Sequence, residues 1–483
     1  MKELQILIAS IFILLLLSAS SVTASMYMPV EDEVYQLLYR LEAEGVIESD
    51  LLTTRPLSCK EILRIINEAE RNSKDRSLFI QTLIGLLKER FKDDMTDLKF
   101  IKPLESPYIE YTYSDSKDHT LNYNNNGDIY DKGSNIRTGF VSRAEFGWLS
   151  FYFNPEIRYS ENDTALKLKR GYGVIQILGL DILFGKDSQW WGPGYHGGIL
   201  LTNNTEPLTM LRLTNSEPIL LPWALKHLGP FRFASFVTRL EEERQGVPEP
   251  YLWGMRLNFK PHPYIEFGAS RTIMLGGKGR PEGLKTWWNT FIGKTEDESR
   301  SMSGDQKGGY DVKLTLPFKF QPVQVYLEAA GEDNAGTSII PTDWAYVTGL
   351  YLPRILGLER IDLRVEYGKT NFKWYRHSSY GNYRYKGMIM GHHMGGDSSD
   401  IFAEVSYLLP ERNGRLSIFY DREKHRLSSD EMGKKDEIGL RSTFRLINNI
   451  DIKLSYGYAR VKDNISGDEK KINTLTGMIN YNF

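Results

Sequence analysis

The chain has 483 residues, 60 basic and 62 acidic side chains for a formal charge of −2, and one cysteine, Cys59. The near-neutral balance excludes the electrostatic footprint of a nucleic-acid-binding protein, and a single thiol excludes an intramolecular disulfide framework. After the amino-terminal segment no stretch reaches the about 18 consecutive apolar residues of a helical membrane span, so residence in a membrane would require a barrel of strands.

The first segment carries Lys2, an apolar run from Leu4 to Leu17, and small residues leading to Val22-Thr23-Ala24. This is the pattern of a secretory signal cleaved after Ala24, its uncharged core being shorter than the about 20 residues that cross a bilayer. From there to about residue 100 the pattern is helical. Val34, Leu37, Leu38 and Leu41 fall at helical spacing before Gly45, which predicts a helix over residues 31–45. Ser58 with Glu61 reads as a capping box opening a second helix, whose stripe is Ile62, Leu63, Ile65 and Ile66, and a third is predicted over 78–91. A bundle of about 70 residues is too small to be comfortable alone and is expected to pack against the rest.

From Tyr108 onward the helical period gives way to alternation, as in Val323-Gln324-Val325-Tyr326-Leu327-Glu328 and Ile361-Asp362-Leu363-Arg364-Val365-Glu366. A soluble sandwich turns the apolar face of such strands inward, and a transmembrane barrel turns it out to lipid. Strand length separates the two, since spanning strands need about 9–11 residues. Candidate strands near 105–114, 148–159, 181–190, 231–239, 264–272, 322–331, 360–370, 414–424 and 450–460 run one way. Those near 135–147, 166–177, 207–214, 251–260, 309–317, 343–352, 400–409, 436–446 and 471–483 return. The fold class predicted is therefore mainly β, an antiparallel transmembrane β-barrel of about eighteen strands over 101–483, with a small α-helical bundle over 25–100. Short connections alternate with long polar ones at 115–134, 273–308 and 371–399, the pattern of an outer-membrane barrel. Trp148, Trp253, Trp344 and Tyr481 near strand ends suit interfacial girdles, although ordinary packing would place them there too.

Two loops carry chemistry. The run Gly185-Lys186-Asp187-Ser188-Gln189-Trp190-Trp191-Gly192-Pro193-Gly194-Tyr195-His196, continued by Asn203-Asn204-Thr205-Glu206-Pro207, lies by strand parity at the outer end of the fifth strand. Gly192-Pro193-Gly194 forces a tight reversal that projects Trp190, Trp191, Tyr195 and His196, rings able to stack on sugars while Asp187, Gln189 and Asn204 bond hydroxyls. A loop that folds into the lumen and braces the barrel reads the same way. The second is Tyr380-Gly381-Asn382-Tyr383-Arg384-Tyr385-Lys386-Gly387, leading to Gly391-His392-His393-Met394-Gly395-Gly396-Asp397, where the basic Arg384 and Lys386 are available to an anionic ligand and Tyr383, Arg384 and His393 are further candidate contacts. Adjacent histidines with Asp397 fix no coordination geometry, so no metal is expected there. Glu241-Glu242-Glu243 reads as a solvated loop, and Gly276-Gly277-Lys278-Gly279 lacks the strand-to-helix context of a phosphate cradle.

With these motifs in order, the chain resembles the Wzi-type capsule assembly family of outer-membrane lectins. The resemblance rests on Trp191-Gly192-Pro193-Gly194 with Asn204 and Pro207, and on the stretch before Gly391-His392-His393-Met394-Gly395-Gly396-Asp397, with Asn382 and Thr205 departing from the pattern. It implies an eighteen-stranded barrel in the bacterial outer membrane with the bundle on the periplasmic side. It also implies a non-enzymatic role in attaching capsular or other exported polysaccharide to the cell surface. Trp190, Trp191, Tyr195, His196, Asn204, Tyr383, Arg384 and His393 would be the polysaccharide contacts. Partners would be the polysaccharide, outer-membrane lipid and the export machinery; no catalytic residue, cofactor or nucleic acid is expected. A porin-like channel and an outer-membrane hydrolase are the competing readings.

Overall fold

The computed structural model describes residues 24–482 apart from 93, 95–98, 118–122, 293–303, 333–342, 429–431, 448 and 464–466. Of the expected export segment only Ala24 is among them, and Phe483 lies outside them.

Three helices form where the apolar stripes predict them: α1 (Val34–Ala43), α2 (Cys59–Asn72) and α3 (Leu78–Arg90). Asp32 Oδ1 accepts the Val34 N–H at 2.8 Å at the start of α1. Gly45 ends that turn with φ at +69°, a left-handed conformation that only glycine adopts at no cost. At α2, Ser58 Oγ accepts the Glu61 N–H at 3.1 Å. The capping box is only half realised, because the Glu61 carboxylate turns to Arg64 at 2.7 Å. Leu38, Leu41, Ile62, Ile65, Leu83 and Leu87 are buried in one core, each worth about 1.5–3 kcal/mol relative to exposure.

From Tyr108–Ser114 to Glu469–Tyr481, eighteen antiparallel strands close into a barrel, the last pairing the first with Thr474 opposite Ser114 and Asn480 opposite Tyr108. Each strand predicted from alternation is present. The second is broken into Gly133–Gly139 and Ser142–Phe146, and the unpredicted strand Lys99–Lys102 pairs with the latter piece. The fifth, Leu180–Asp187, stops short of Trp190.

Burial decides between sandwich and barrel. In Val323–Gly331, Val325 and Leu327 are 38% and 42% exposed while Gln324 and Glu328 keep only 2% and 4%. In Ile361–Lys369, Asp362, Arg364 and Glu366 are likewise inside. An interior of charges under an apolar exterior belongs to a membrane barrel. Trp148, Trp344 and Tyr481 are exposed near strand ends, as interfacial girdles require. Trp253 packs its outer face against Trp287 and Phe291 of α4 (Leu284–Phe291) at 5.5 and 5.7 Å.

The bundle packs at the end of the barrel where the short turns gather. Glu42 of α1 reaches Lys260 (3.3 Å), Lys313 (2.8 Å) and Gln324 (2.9 Å) on the wall, and Asp50 reaches Lys260 at 2.6 Å. Burial pushes the Glu42 carboxyl up, but Lys313 and Lys260 outweigh it and hold it down to about 2. Asp50, buried beside the Glu42 charge, is pushed up to about 7.

Candidate functional site

The loop after the fifth strand does not rise from the barrel; it turns into the lumen. Trp190–Trp191 forms a two-residue strand antiparallel to Thr54–Arg55 of the amino-terminal region, Trp191 opposite Thr54 and Trp190 opposite Arg55. The Gly192 N–H donates to the Thr53 carbonyl at 2.9 Å. On one side of this junction Thr53 Oγ1 donates to Glu266 (2.6 Å) and Arg256 donates to Thr54 Oγ1 (2.6 Å). On the other, the Tyr195 N–H donates to Glu366 and its hydroxyl to Glu404, at 2.5 and 2.8 Å. A bridge of main chain thus crosses the lumen from wall to wall. Gly192 has φ at +110°, and a Cβ there would sit 2.2 Å from Glu328 Oε2, so only glycine fits the reversal.

The second loop closes over the first. The Asn204 amide donates to the Ile389 carbonyl (2.9 Å), the Thr202 N–H to the Met390 carbonyl (2.9 Å) and the Thr202 hydroxyl to the Gly391 carbonyl (2.8 Å). Tyr383 is buried against Tyr375, ring centroids 5.7 Å apart, with Lys307 5.0 Å from its ring.

The eight sequence-predicted contacts therefore divide. Trp191, Asn204 and Tyr383 are inside the plug with no accessible ring face or free amide edge, and brace it instead of meeting solvent. Arg384 is exposed, donating to the Gly387 carbonyl at 2.8 Å. His393 faces barrel-wall carboxylates, with Nε2 3.4 Å from Asp400 and 3.5 Å from Glu423. Trp190, Tyr195 and His196 line a lumen chamber of about 390 Å³, together with Tyr123, Asn124, Asn125, Arg415 and Arg441. Trp190 lies under the Arg55 guanidinium at 4.5 Å and donates its indole N–H to the Gly194 carbonyl at 3.1 Å. Aromatic faces, amides and guanidinium groups around one chamber are the groups that hold sugar rings and their hydroxyls. The run Tyr123-Asn124-Asn125 was the signal for this wall, unread because it lies inside a long polar connection.

A different surface is exposed at the long-loop end. Glu206 gathers Lys386 (2.9 Å), Lys186 (3.4 Å) and Lys167 (3.9 Å), leaving two positive charges in excess. Burial pushes the Glu206 carboxyl up, but Lys386 and Lys186 keep it below the usual range. Glu206 and Lys167 border a cleft of about 130 Å³ that also takes in Arg137, Arg158, Asp131 and Ser160. Lys167 sits in an alternating strand, where a lysine reads as barrel wall, and Lys186 reads as part of the Gly185–His196 run, so nothing in the sequence joins the two.

One arrangement resembles a hydrolytic triad. Ser398 Oγ lies 3.2 Å from His425 Nδ1, and His425 Nε2 lies 3.0 Å from Glu423. Ser398 is 1% exposed and its hydroxyl donates to the Gly396 carbonyl at 3.0 Å, so no substrate carbon can reach it in this state.

A sequence profile described as "Capsule assembly protein Wzi" matches residues 111–475. A 55.8 kDa protein from the cps region of Klebsiella pneumoniae is 25% identical over 341 residues, a match that spans 69% of this chain and 61% of that protein's length. The structure of Wzi from Escherichia coli, described as a carbohydrate-binding outer-membrane β-barrel involved in group 1 capsule assembly, superposes with a TM-score of 0.75 at 20% identity, covering 95% of this chain and 99% of that one. OccK5 of Pseudomonas aeruginosa superposes at 0.51 with 10% identity, over 79% and 98% of the two chains, a likeness of fold alone. The profile runs from the first barrel strand to the last, and the chain belongs to the Wzi capsule assembly protein family.

Proposed function

We propose that this protein is a non-enzymatic polysaccharide-binding barrel of the outer membrane, holding capsular or other exported polysaccharide at the cell surface. Its bundle would face the periplasm, and its long loops the exterior. The observation that carries this reading is the exposed cluster of Lys167, Lys186 and Lys386 around Glu206 at the long-loop end of a barrel whose lumen is crossed by a bridge of main chain. Two excess positive charges beside polar groups favour an acidic polymer. Each contact with such a surface is weak, but repeats along one chain raise the effective concentration of the next and give firm retention. The carbohydrate binding described for the Escherichia coli relative supports the same class of ligand.

A porin needs a continuous aqueous lumen, which the bridge between Thr54–Arg55 and Trp190–Trp191 argues against. The burial of Ser398 argues against the hydrolase. The test is polymer retention by cells that lack the protein, complemented with the intact chain or with a Lys167→Gln/Lys386→Gln variant. Release of polymer into the medium, reversed by the intact chain and less well by the variant, is expected. Retention unchanged by the deletion, with steady ion conductance of the purified barrel, would favour the channel.

A further inference from the structure

Deep to the two folded-in loops, side chains from three separate stretches of chain converge: His196, His393 and, from adjacent wall strands, Asp400 and Asp421. His196 is 3% exposed, Asp400 2% and Asp421 0%. The gaps between their polar atoms are His393 Nε2 to Asp400 Oδ2, 3.4 Å; His196 Nε2 to Asp400 Oδ2, 3.6 Å; and His196 Nε2 to Asp421 Oδ1, 3.6 Å. Those are longer than the about 2.7–3.2 Å of good hydrogen bonds. Among the described residues, His196 Nε2, both ring nitrogens of His393 and both carboxylate oxygens of Asp400 have no hydrogen-bond partner. Buried polar atoms left so close and so unsatisfied are costly unless something sits between them.

Charge points the same way. Asp421, Glu423 and Glu437 surround one lysine, Lys435, at 2.9 Å (Asp421 Oδ2), 2.5 Å (Glu423 Oε1) and 3.4 Å (Glu437), while Asp400 faces the histidines. Asp421 Oδ1 is left facing His196. Four donors bound to a tetrahedral zinc ion at about 2.0–2.2 Å stand about 3.3–3.6 Å apart; the gaps from Asp400 to both histidines and from Asp421 to His196 fall in that range, and the ligand atoms of His196, His393 and Asp400 lie within 4.8 Å of one another. Two imidazoles and two carboxylates suit a borderline cation of the zinc type better than calcium or magnesium, which take oxygen ligands alone.

We propose that His196, His393, Asp400 and Asp421 bind one divalent cation of the zinc type, which fastens both inner loops to the barrel wall. The surrounding groups are placed to orient the ligands. His196 stacks on Phe402 at 3.9 Å and His393 on Tyr123 at 4.4 Å. His392, whose Nδ1 accepts the Met394 N–H at 3.3 Å, directs its other nitrogen toward Asp400 at 3.8 Å. The other buried carboxylate group, Glu42 with Asp50 and Glu266, carries no such proposal, because Lys260 and Lys313 already lie among its oxygens.

The test uses the full-length barrel without a histidine tag, stripped with a chelator in detergent and titrated calorimetrically with Zn²⁺ alone. One tightly bound ion per chain is expected, with Ca²⁺ and Mg²⁺ giving no heat. His393→Gln and Asp400→Asn should each weaken binding by about 100-fold or more, the top of the range seen when even the outer partners of metal ligands are removed. The exposed His262→Gln should leave it unchanged. Co²⁺ loaded on the unaltered protein should give the intense visible bands of a tetrahedral site, so the inference stays testable if both ligand variants misfold. It is overturned by no stoichiometric Zn²⁺ binding, by Zn²⁺ binding that both ligand variants retain, by preference for Ca²⁺, or by an octahedral Co²⁺ spectrum.

Discussion

Two charged clusters inside one lumen differ in how their charge is balanced. At the short-turn end, Glu42, Asp50 and Glu266 meet Lys260 and Lys313, and Asp50, pushed up to about 7 by burial and by Glu42, makes up the difference with a proton. That group is neutral with what the chain supplies. At the long-loop end, Asp421, Glu423 and Glu437 share Lys435, and Asp400 faces His393 and His196 at 3.4 and 3.6 Å. A buried network whose lysines lie among its carboxylates docks one part of a protein on another, whereas histidines and carboxylates left facing one another with no lysine between them leave room for a ligand. The contrast separates the half of the lumen that holds the bundle from the half that holds the loops.

The largest effect should come from breaking the balanced half. Lys313→Met would leave Glu266 without its cation and Glu42 and Asp50 sharing Lys260 alone, and removal of one partner from a buried ion group costs about 3–5 kcal/mol. The bundle should become sensitive to added protease while the barrel keeps its heat-modifiable migration. Glu437→Gln at the other end removes one of the excess charges and should cost little. Equal sensitivity of the two variants would erase the distinction between the clusters.

Gly192→Ala tests the bridge between the halves. The left-handed conformation costs a non-glycine residue about 1–3 kcal/mol, and the added methyl group would collide with Glu328, which itself accepts the Ile199 N–H at 2.9 Å. The loop should leave the lumen part of the time, turning a silent barrel into one with brief conducting events in planar bilayers. A silent variant would mean that the bundle alone closes the lumen.

Much of the fold was legible because a barrel repeats a period of two, and Asp362, Arg364 and Glu366 fall on one face by spacing alone. The helices were legible for the same kind of reason, as in Leu38 with Leu41 and Ile62 with Ile65. The interior was not. Nothing in Trp190-Trp191 says that its strand partner is Thr54–Arg55, more than 130 positions earlier, or that the rings face inward. His393 was read beside Asp397, its neighbour in sequence, whereas the Asp397 side chain accepts from Ser428 at 2.6 Å and Asp400 faces the histidine. The exposed cleft escaped notice because Lys167, Lys186 and Lys386 come from different strands and loops and meet only around Glu206.

The smallest expected effect lies at that cleft, and its sign is the informative part. Glu206→Gln removes the one carboxylate among the three lysines and raises the local excess of positive charge. Affinity for an acidic polysaccharide should therefore increase, and Lys386→Gln should decrease it. Because the site is partly exposed and screened, each change should be worth about 0.2–1 kcal/mol, roughly a 1.4- to fivefold shift at low ionic strength that fades with added salt. Protonation of Glu206 would act in the same direction as Glu206→Gln. Its carboxyl is held below the usual range by Lys386 and Lys186 against the opposing effect of burial, so it stays ionised between pH 8 and pH 5. Binding of an acidic polymer that stays fully ionised should then be flat across that interval and strengthen only below it. A rise between pH 7 and pH 6, measured with immobilised polymer, would mean that a group other than Glu206 controls binding and would remove the assignment of the binding surface to this rim.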